Sequence, residues 1–188
     1  MHELEPFYNW GESYSSVDDP RSPFYEAEYN TTHYSNAIYG YYIHPFWDHI
    51  GSETLYVKLL FADYDEQIVV LELFGEWNDT LHNDIMHLKR NVIDLLVAES
   101  ITKFILICEN VMNFHGSDDE YYAEWFEEIE NGWIAAINTR EHVLEEWKKF
   151  NIDYYINFGG SLDEMHWRTL DPQLFCKTVE GFIQKRLG

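Results

Sequence analysis

The sequence predicts an α/β protein with a mixed sheet, in which an opening hairpin is followed by βα units and helices pack on the sheet. Three observations point there. Two runs rich in β-branched and aromatic residues, TLYVKLLF (54–61) and QIVVLELFGEW (67–77), are separated only by the short polar ADYDE, which suits a hairpin. Beyond them, apolar runs of strand length alternate with stretches of helical length, a pattern that implies right-handed crossovers and parallel pairing. At 188 residues, 46% of them apolar and 18% aromatic, the chain can bury one sizeable core and lacks the low hydrophobicity of disorder.

Residues 1–36 hold Tyr8, Trp10, Tyr14, Phe24, Tyr25, Tyr29 and Tyr34 among Pro, Ser, Asp and Asn with no sustained period, which predicts an irregular arm. So many aromatics expose too much apolar surface to stay in water. The arm is therefore expected to pack over the domain or across a homodimer interface. Residues 37–188 are expected to form one α/β domain, with AIYGYYI (37–43) as its first strand. Residues 78–100 place Leu81, Ile85, Leu88, Val92 and Leu95 on one helical stripe, behind Asn78 or Asp79 as N-cap, and predict one amphipathic helix.

ITKFILIC (101–108) is a continuous apolar run, as expected of a central strand covered on both faces. ENVMNFHGSDDEYY (109–122) then reads as a polar turn into a helix whose stripe is Tyr121, Tyr122, Trp125, Phe126 and Ile129, ending near Asn131-Gly132. WIAAIN (133–138) is the next strand. Thr139 is expected to cap a helix with Val143, Leu144, Trp147 and Phe150 inward, and DYYINF (153–158) is the strand after it. A polar loop follows Gly159-Gly160 and runs through Trp167. Asp171-Pro172 then caps and starts a last helix with Phe175, Val179 and Phe182 facing in.

With 34 acidic against 12 basic side chains, the formal charge of −22 gives a field that repels phosphate backbones and anionic lipid. Nucleic-acid and membrane binding are not expected. Such charge either keeps the protein soluble or steers in a basic partner. Cys108 and Cys176 belong to no C-x-x-C pair and read as buried thiols in a reducing compartment. MHELEPFYNW has neither a basic n-region nor an apolar h-region, and no run reaches the roughly 18 residues that span a bilayer. A cytoplasmic location is expected.

The segment IVVLELFGEWNDTLHNDIMHLKRNVIDLL resembles the STAS domain, the fold of bacterial anti-sigma-factor antagonists and of the cytoplasmic tails of sulfate transporters. Gly75 and Glu76 match the family's Gly-Glu-x-Asp at a strand end, with Asn78 where the family has Asp. ITKFILICENVMNF is similar to the family's second buried strand, Val111 and Phe114 corresponding to its Val-x-Phe, one residue longer here. The resemblance covers roughly residues 54–158 and leaves out the arm and the segment after 158. It places the family's regulatory serine, found in Asp-Ser-Ser or Asp-Ser-Thr, at Ser117, which here follows Gly116 and precedes Asp118.

Ser117-Asp118-Asp119-Glu120 is also a capping box, in which Ser117 and Glu120 satisfy each other's backbone N–H groups. Ser117 is thus either a helix cap or a phosphorylation site. Capping leaves Glu109, Asn110, Asn113 and His115 at the carboxyl end of a buried strand, where ligands gather in open α/β sheets. His115, flanked by Glu109 and Asp118, could act as a general base or as one ligand of a metal, although a metal needs three or four convergent ligands. Arg168 beside Trp167 in the 161–171 loop is a second candidate, as a packed anchor or a ligand clamp. His82 and His87 miss the i, i+4 spacing of a shared metal site. The nucleotide-loop, nucleophile-elbow and zincin motifs are absent from the sequence.

No cofactor or metal is expected, and the resemblance implies a non-enzymatic STAS-like regulatory module that binds a protein partner or itself. The alternative is a small-molecule binder or enzyme using Glu109, Asn113, His115, Asp118 and Arg168.

Overall fold

Strands β1 (His2–Leu4), β2 (Ala37–Ile38) and β3 (Tyr41–Ile43) form a small sheet in which the run 37–43, expected as one strand, is a hairpin. Tyr39 and Gly40 take positive φ values of 50° and 79°, the turn geometry that matches the twist of two paired strands. β2 therefore folds back on β3, and β1 joins β3 in parallel. The computed structural model describes residues 2–34 and 36–187; Met1, Ser35 and Gly188 lie outside the described residues, the first two of them within the stretch expected as the arm.

The main sheet contains β4 (Asp48–His49), β5 (Leu55–Asp63), β6 (Ile68–Asn78), β7 (Lys103–His115), β8 (Trp133–Ile137) and β9 (Ile156–Asn157), side by side in chain order. β4, β5 and β6 are antiparallel and β6 to β9 parallel, so the sheet is mixed, with an opening hairpin and βα crossovers.

β7 differs from its expected length. It continues past Cys108 through Glu109–His115, so most of the stretch expected as a polar turn is strand. β6 keeps pairing with it as far as Asn78 opposite His115, through register shifts near Glu72 and Gly75. β8 stops opposite Ile107, which leaves the far half of β7 with an open edge. There Arg140 Nε donates to the Glu109 carbonyl at 3.2 Å and His142 Nε2 contacts the Met112 carbonyl at 2.9 Å, satisfying backbone that a neighbouring strand would otherwise pair.

The expected single helix over 78–100 is three pieces: α1 (Asp79–His82), α2 (Asp84–Leu88) and α3 (Asp94–Ala98), with a π turn at Lys89–Ile93 before α3. Asn83 is left-handed (φ 52°) and breaks the phase between α1 and α2, while the π turn inserts an extra residue before α3. Ile85, Leu88 and Val92 are buried as the stripe predicts, but Leu81 is 76% and Leu95 48% exposed, and Ile93 and Leu96 take the inward places. Asn78 is the N-cap, its side chain accepting from the Leu81 N–H.

α4 (Glu120–Glu128), α5 (Glu141–Lys149) and α6 (Pro172–Leu187) complete the helices. The α5 N-cap position is Arg140, not Thr139, whose side chain is buried. A 3-10 turn at Ile152–Tyr154 takes the first half of the strand expected over 153–158. Asp171 caps α6 as expected, its Oδ1 accepting from Leu174 N–H at 2.9 Å.

Alternation along the strands divides the core. Val57, Leu59, Leu71, Leu73, Phe104 and Leu106 face α2 to α5, whereas Val70, Ile105, Ile107 and Ile137 face α6 and the N-terminal arm. Trp10 of the arm is 5% exposed, with its ring 5.5 Å from those of Phe7, Trp167 and Phe175. The arm's central aromatics are thus covered within the chain, while Tyr8, Tyr25 and Tyr34 stay exposed.

Gly181 lies inside α6, where a Cβ would meet nothing within 4 Å. Gly181→Ala is expected to stabilise the fold by about 0.5–1 kcal/mol through reduced backbone entropy in the unfolded chain, read as a rise in melting temperature.

Candidate functional site

The candidate residues separate into two clusters at the carboxyl end of the sheet. The first surrounds Glu109. Arg168 forms an ion pair with Glu109 Oε1 without an aligned hydrogen bond, and its guanidinium lies 4.4 Å from the Trp167 ring centre. Trp167 Nε1 donates to Glu109 Oε2 at 3.4 Å. Behind this pair Glu72 is 1% exposed, accepts the Phe7 backbone N–H at 2.8 Å and stands 3.8 Å from Arg168. Burial, reinforced by the charge of Glu109, pushes the Glu72 carboxyl up to about 7 against the pull of Phe7 N–H and Arg168. An open cleft of about 570 Å³ adjoins the pair, with Asn138, Asp163 and Met165 on its wall. Asn138 is spent on both backbone groups of Met165, at 2.9 Å each, which pins the loop.

The second cluster is centred on Glu76. Tyr39 donates to its Oε2, Asn78 Nδ2 donates to its Oε1 at 2.8 Å, and His115 Nε2 lies 3.3 Å from the same Oε1. Asn113 Nδ2 contacts His115 Nε2 at 3.0 Å. Burial works to raise the Glu76 carboxyl, but Tyr39, Asn78 and the neighbouring histidines together hold it below the usual carboxylate range. The sequence places Glu109 and Asp118 as the carboxylates flanking His115; the one that faces it is Glu76. Asp118 instead accepts the Glu120 backbone N–H at 3.2 Å.

The capping box is also corrected. α4 starts at Glu120 with Asp119 at the N-cap position, and Ser117 is exposed, with no side-chain hydrogen bond among the described residues. Ser117→Ala is accordingly expected to stay within about 0.5 kcal/mol of the parent in chemical unfolding. A loss near 1 kcal/mol would restore the cap.

Two further groups were not singled out as sites from sequence. Asp79 and Asp84 are buried beneath the β6–α1 corner. Asp79 accepts from Tyr122 Oη at 2.6 Å, Trp77 Nε1 at 3.0 Å and Ile85 N–H at 2.8 Å. Asp84 accepts from Asn78 N–H at 2.7 Å and Thr54 Oγ1 at 3.0 Å. Burial and the nearby Asp84 push Asp79 up to about 7, against the hydrogen bonds it accepts. The signal available was a pair of acids flanking the helix start, which reads equally as capping. The second group is Asp94, Glu124 and Glu128, the one set of side chains spaced for a metal among the described residues. The buried Lys89 ammonium already occupies it, 2.6 Å from Glu128 and 3.5 Å from Glu124. Both cysteines are free and buried, and burial pushes each thiol up to about 12.

No protein-family model and no curated protein matches the chain. Among solved structures, it is similar to the anti-sigma factor antagonist SpoIIAA in its unphosphorylated form, at 14% identity and a TM-score of 0.42, over 56% of this chain and 89% of that one. The phosphorylated form, described as a Bacillus cell fate determinant, matches at 14% identity and a TM-score of 0.38, over 56% of this chain and 92% of that one. A candidate anti-sigma factor antagonist from Thermotoga maritima matches at 18% identity and a TM-score of 0.42, over 57% of this chain and 87% of that one.

Proposed function

We infer that the protein is a non-enzymatic STAS-like module that works by binding another protein through the carboxyl-end surface around α1 and the end of β7. One observation carries this reading. The polar side chains there are consumed by one another, Glu109 by Arg168 and Trp167 and Glu76 by Tyr39, Asn78 and His115, so among the described residues of this surface no general base and nucleophile converge on a common point. Beside them Leu81 stands 76% exposed on α1, which Thr80 ties to the Gly116 carbonyl at 2.7 Å, and Tyr39 is exposed too. Exposed aliphatic and aromatic groups on a paired polar surface suit a protein contact better than turnover. The charge of −22 favours a basic partner.

The competing small-molecule or enzyme reading needs Glu109, His115 and Asp118 together, whereas they belong to separate hydrogen-bond groups. Among the described residues no helix is long and apolar enough to cross a membrane. The two free thiols suit a reducing, cytoplasmic setting.

The test is affinity capture with the full chain as bait, at low and high salt, compared with Leu81→Asp. A partner held by the parent at low salt, weakened by salt and lost with Leu81→Asp supports the reading. Capture that ignores the substitution, or no partner together with turnover of a metabolite, overturns it.

A further inference from the structure

The N-terminal arm does not seal the strand it crosses. Between Pro6–Trp10 and Tyr14–Val17 it leaves a cavity of about 250 Å³, floored by Lys58, Leu59 and Leu60 of β5. Rings of Phe7, Trp10, Tyr14, Tyr29 and Phe46 supply much of the wall. These rings are held in place. Trp10 Nε1 donates to the Leu170 carbonyl at 2.9 Å, Tyr14 Oη donates to Asp19 at 2.7 Å, and Tyr29 meets Phe46 edge-on with centroids 5.6 Å apart. A wall fixed by such contacts is formed before any ligand arrives, which lowers the ordering cost of binding.

The floor carries one charged group. The Lys58 side chain is only 16% exposed, and its ammonium donates to Tyr29 Oη at 2.7 Å and lies 3.3 Å from Asp48 Oδ2. It also sits 4.4 Å from the Tyr29 ring centre. An ammonium has three donors; Tyr29 Oη takes one, and the Asp48 contact is an ion pair without an aligned hydrogen bond, so among the described residues a donor of Lys58 remains without an acceptor. Burial lowers the Lys58 pKa and raises that of Asp48, as expected for a pair removed from water. Buried donors are ordinarily satisfied.

We propose that this cavity binds a small, uncharged, planar compound with one aromatic ring and one hydrogen-bond-accepting oxygen, the oxygen taking a free Lys58 donor and the ring stacking among the arm aromatics. The size follows from a volume of about 250 Å³, below the roughly 300–1,000 Å³ of sites for drug-sized ligands. Neutrality follows from charge. Asp48 already balances Lys58, and the net −22 of the chain disfavours a second anion. The site shares no residue with the surface assigned above to a protein partner, so either assignment can fail alone.

The experiment is an NMR titration of the full-length, isotope-labelled protein with acetophenone, with ethylbenzene as the same ring without oxygen and benzoate as the same ring with a carboxylate. Acetophenone is expected to bind about tenfold tighter than ethylbenzene, as one hydrogen bond to a charged donor implies, and tighter than benzoate, whose charge is opposed by Asp48 and the net charge of −22, and to shift the signals of Trp10, Tyr14 and Lys58. Lys58→Met alone would strand Asp48, so the specificity test uses Lys58→Met with Asp48→Asn, its fold checked by the amide spectrum. That variant should bind acetophenone and ethylbenzene equally. Ser15→Trp, a large side chain at a lining position that is not part of the ion pair, should abolish binding of both. Equal binding by ethylbenzene, tighter binding by benzoate, a preference that survives in the double variant, or shifts confined to other surfaces would each overturn the proposal.

Discussion

Gly75→Ala is expected to cost about 2–6 kcal/mol, a large part of the roughly 5–15 kcal/mol that holds a domain folded. Gly75 adopts φ +115°, outside the left-handed well that asparagine and aspartate tolerate, and an added Cβ would stand 2.1 Å from the Thr54 carbonyl oxygen. That approach is structural, because the same oxygen accepts the Glu76 N–H at 2.9 Å and holds the start of β5 against β6 where the register with β7 shifts. Backbone strain contributes about 1–3 kcal/mol and the forced separation a similar amount. Gly40→Ala is the control: its φ is +79° but a Cβ there meets nothing within 4 Å, so only strain applies. Urea midpoints decide the matter. Equal losses for the two variants would mean that the contact with Thr54 is not what fixes glycine at 75.

Burial on one face or on both decides which parts of the architecture could be read from sequence. Strands buried on both faces announce themselves by continuous apolar runs, and the runs at 54–61, 67–77 and 133–138 became β5, β6 and β8. The far half of β7 could not be read that way, because beyond Ile107 it has one strand neighbour and can carry Glu109, Asn110 and Asn113 in partial solvent. A polar composition therefore looked like a turn. The breaks in the first helix were equally hidden: a stripe at steps of three and four assumes an unbroken phase, which a left-handed Asn83 and a π turn interrupt without any proline or glycine. At the site, Arg168 was legible as a partner for a carboxylate, but its pairing with Glu109, 59 positions earlier, depends on the loop fold. Glu72 and Lys58, cross-strand neighbours within apolar runs, were the visible signs of buried charge that propensity alone treats as noise.

Raising the pH from about 5 to 8 is expected to destabilise the protein, and Asp79→Asn should remove much of that loss. The sign follows from the buried carboxyls. Asp79 ordinarily ionises near 3.8 and Glu72 near 4.5, yet burial pushes both up to about 7 in the folded state. Between these limits the folded chain binds more protons than the unfolded chain, so stability declines as pH rises through the folded values. About two pH units of each separation lie above pH 5, so at 1.36 kcal/mol per unit each group accounts for about 3 kcal/mol of the decline. Glu76 and Asp94, held below their ordinary range, act in the opposite direction only under more acidic conditions and do not cancel the decline. Asparagine at 79 can keep the local geometry. Its Oδ1 still accepts from Trp77 and Ile85, and its amide can donate to Tyr122 Oη, which now donates to the aspartate. The variant should therefore approach the parent in stability at pH 5 and exceed it at pH 8, with Glu72→Gln flattening the remaining slope. Urea unfolding at pH 5, 6.5 and 8 measures both. Parallel pH profiles for the parent and Asp79→Asn would show that Asp79 stays ionised throughout, stabilised by its three donors despite its burial beside Asp84.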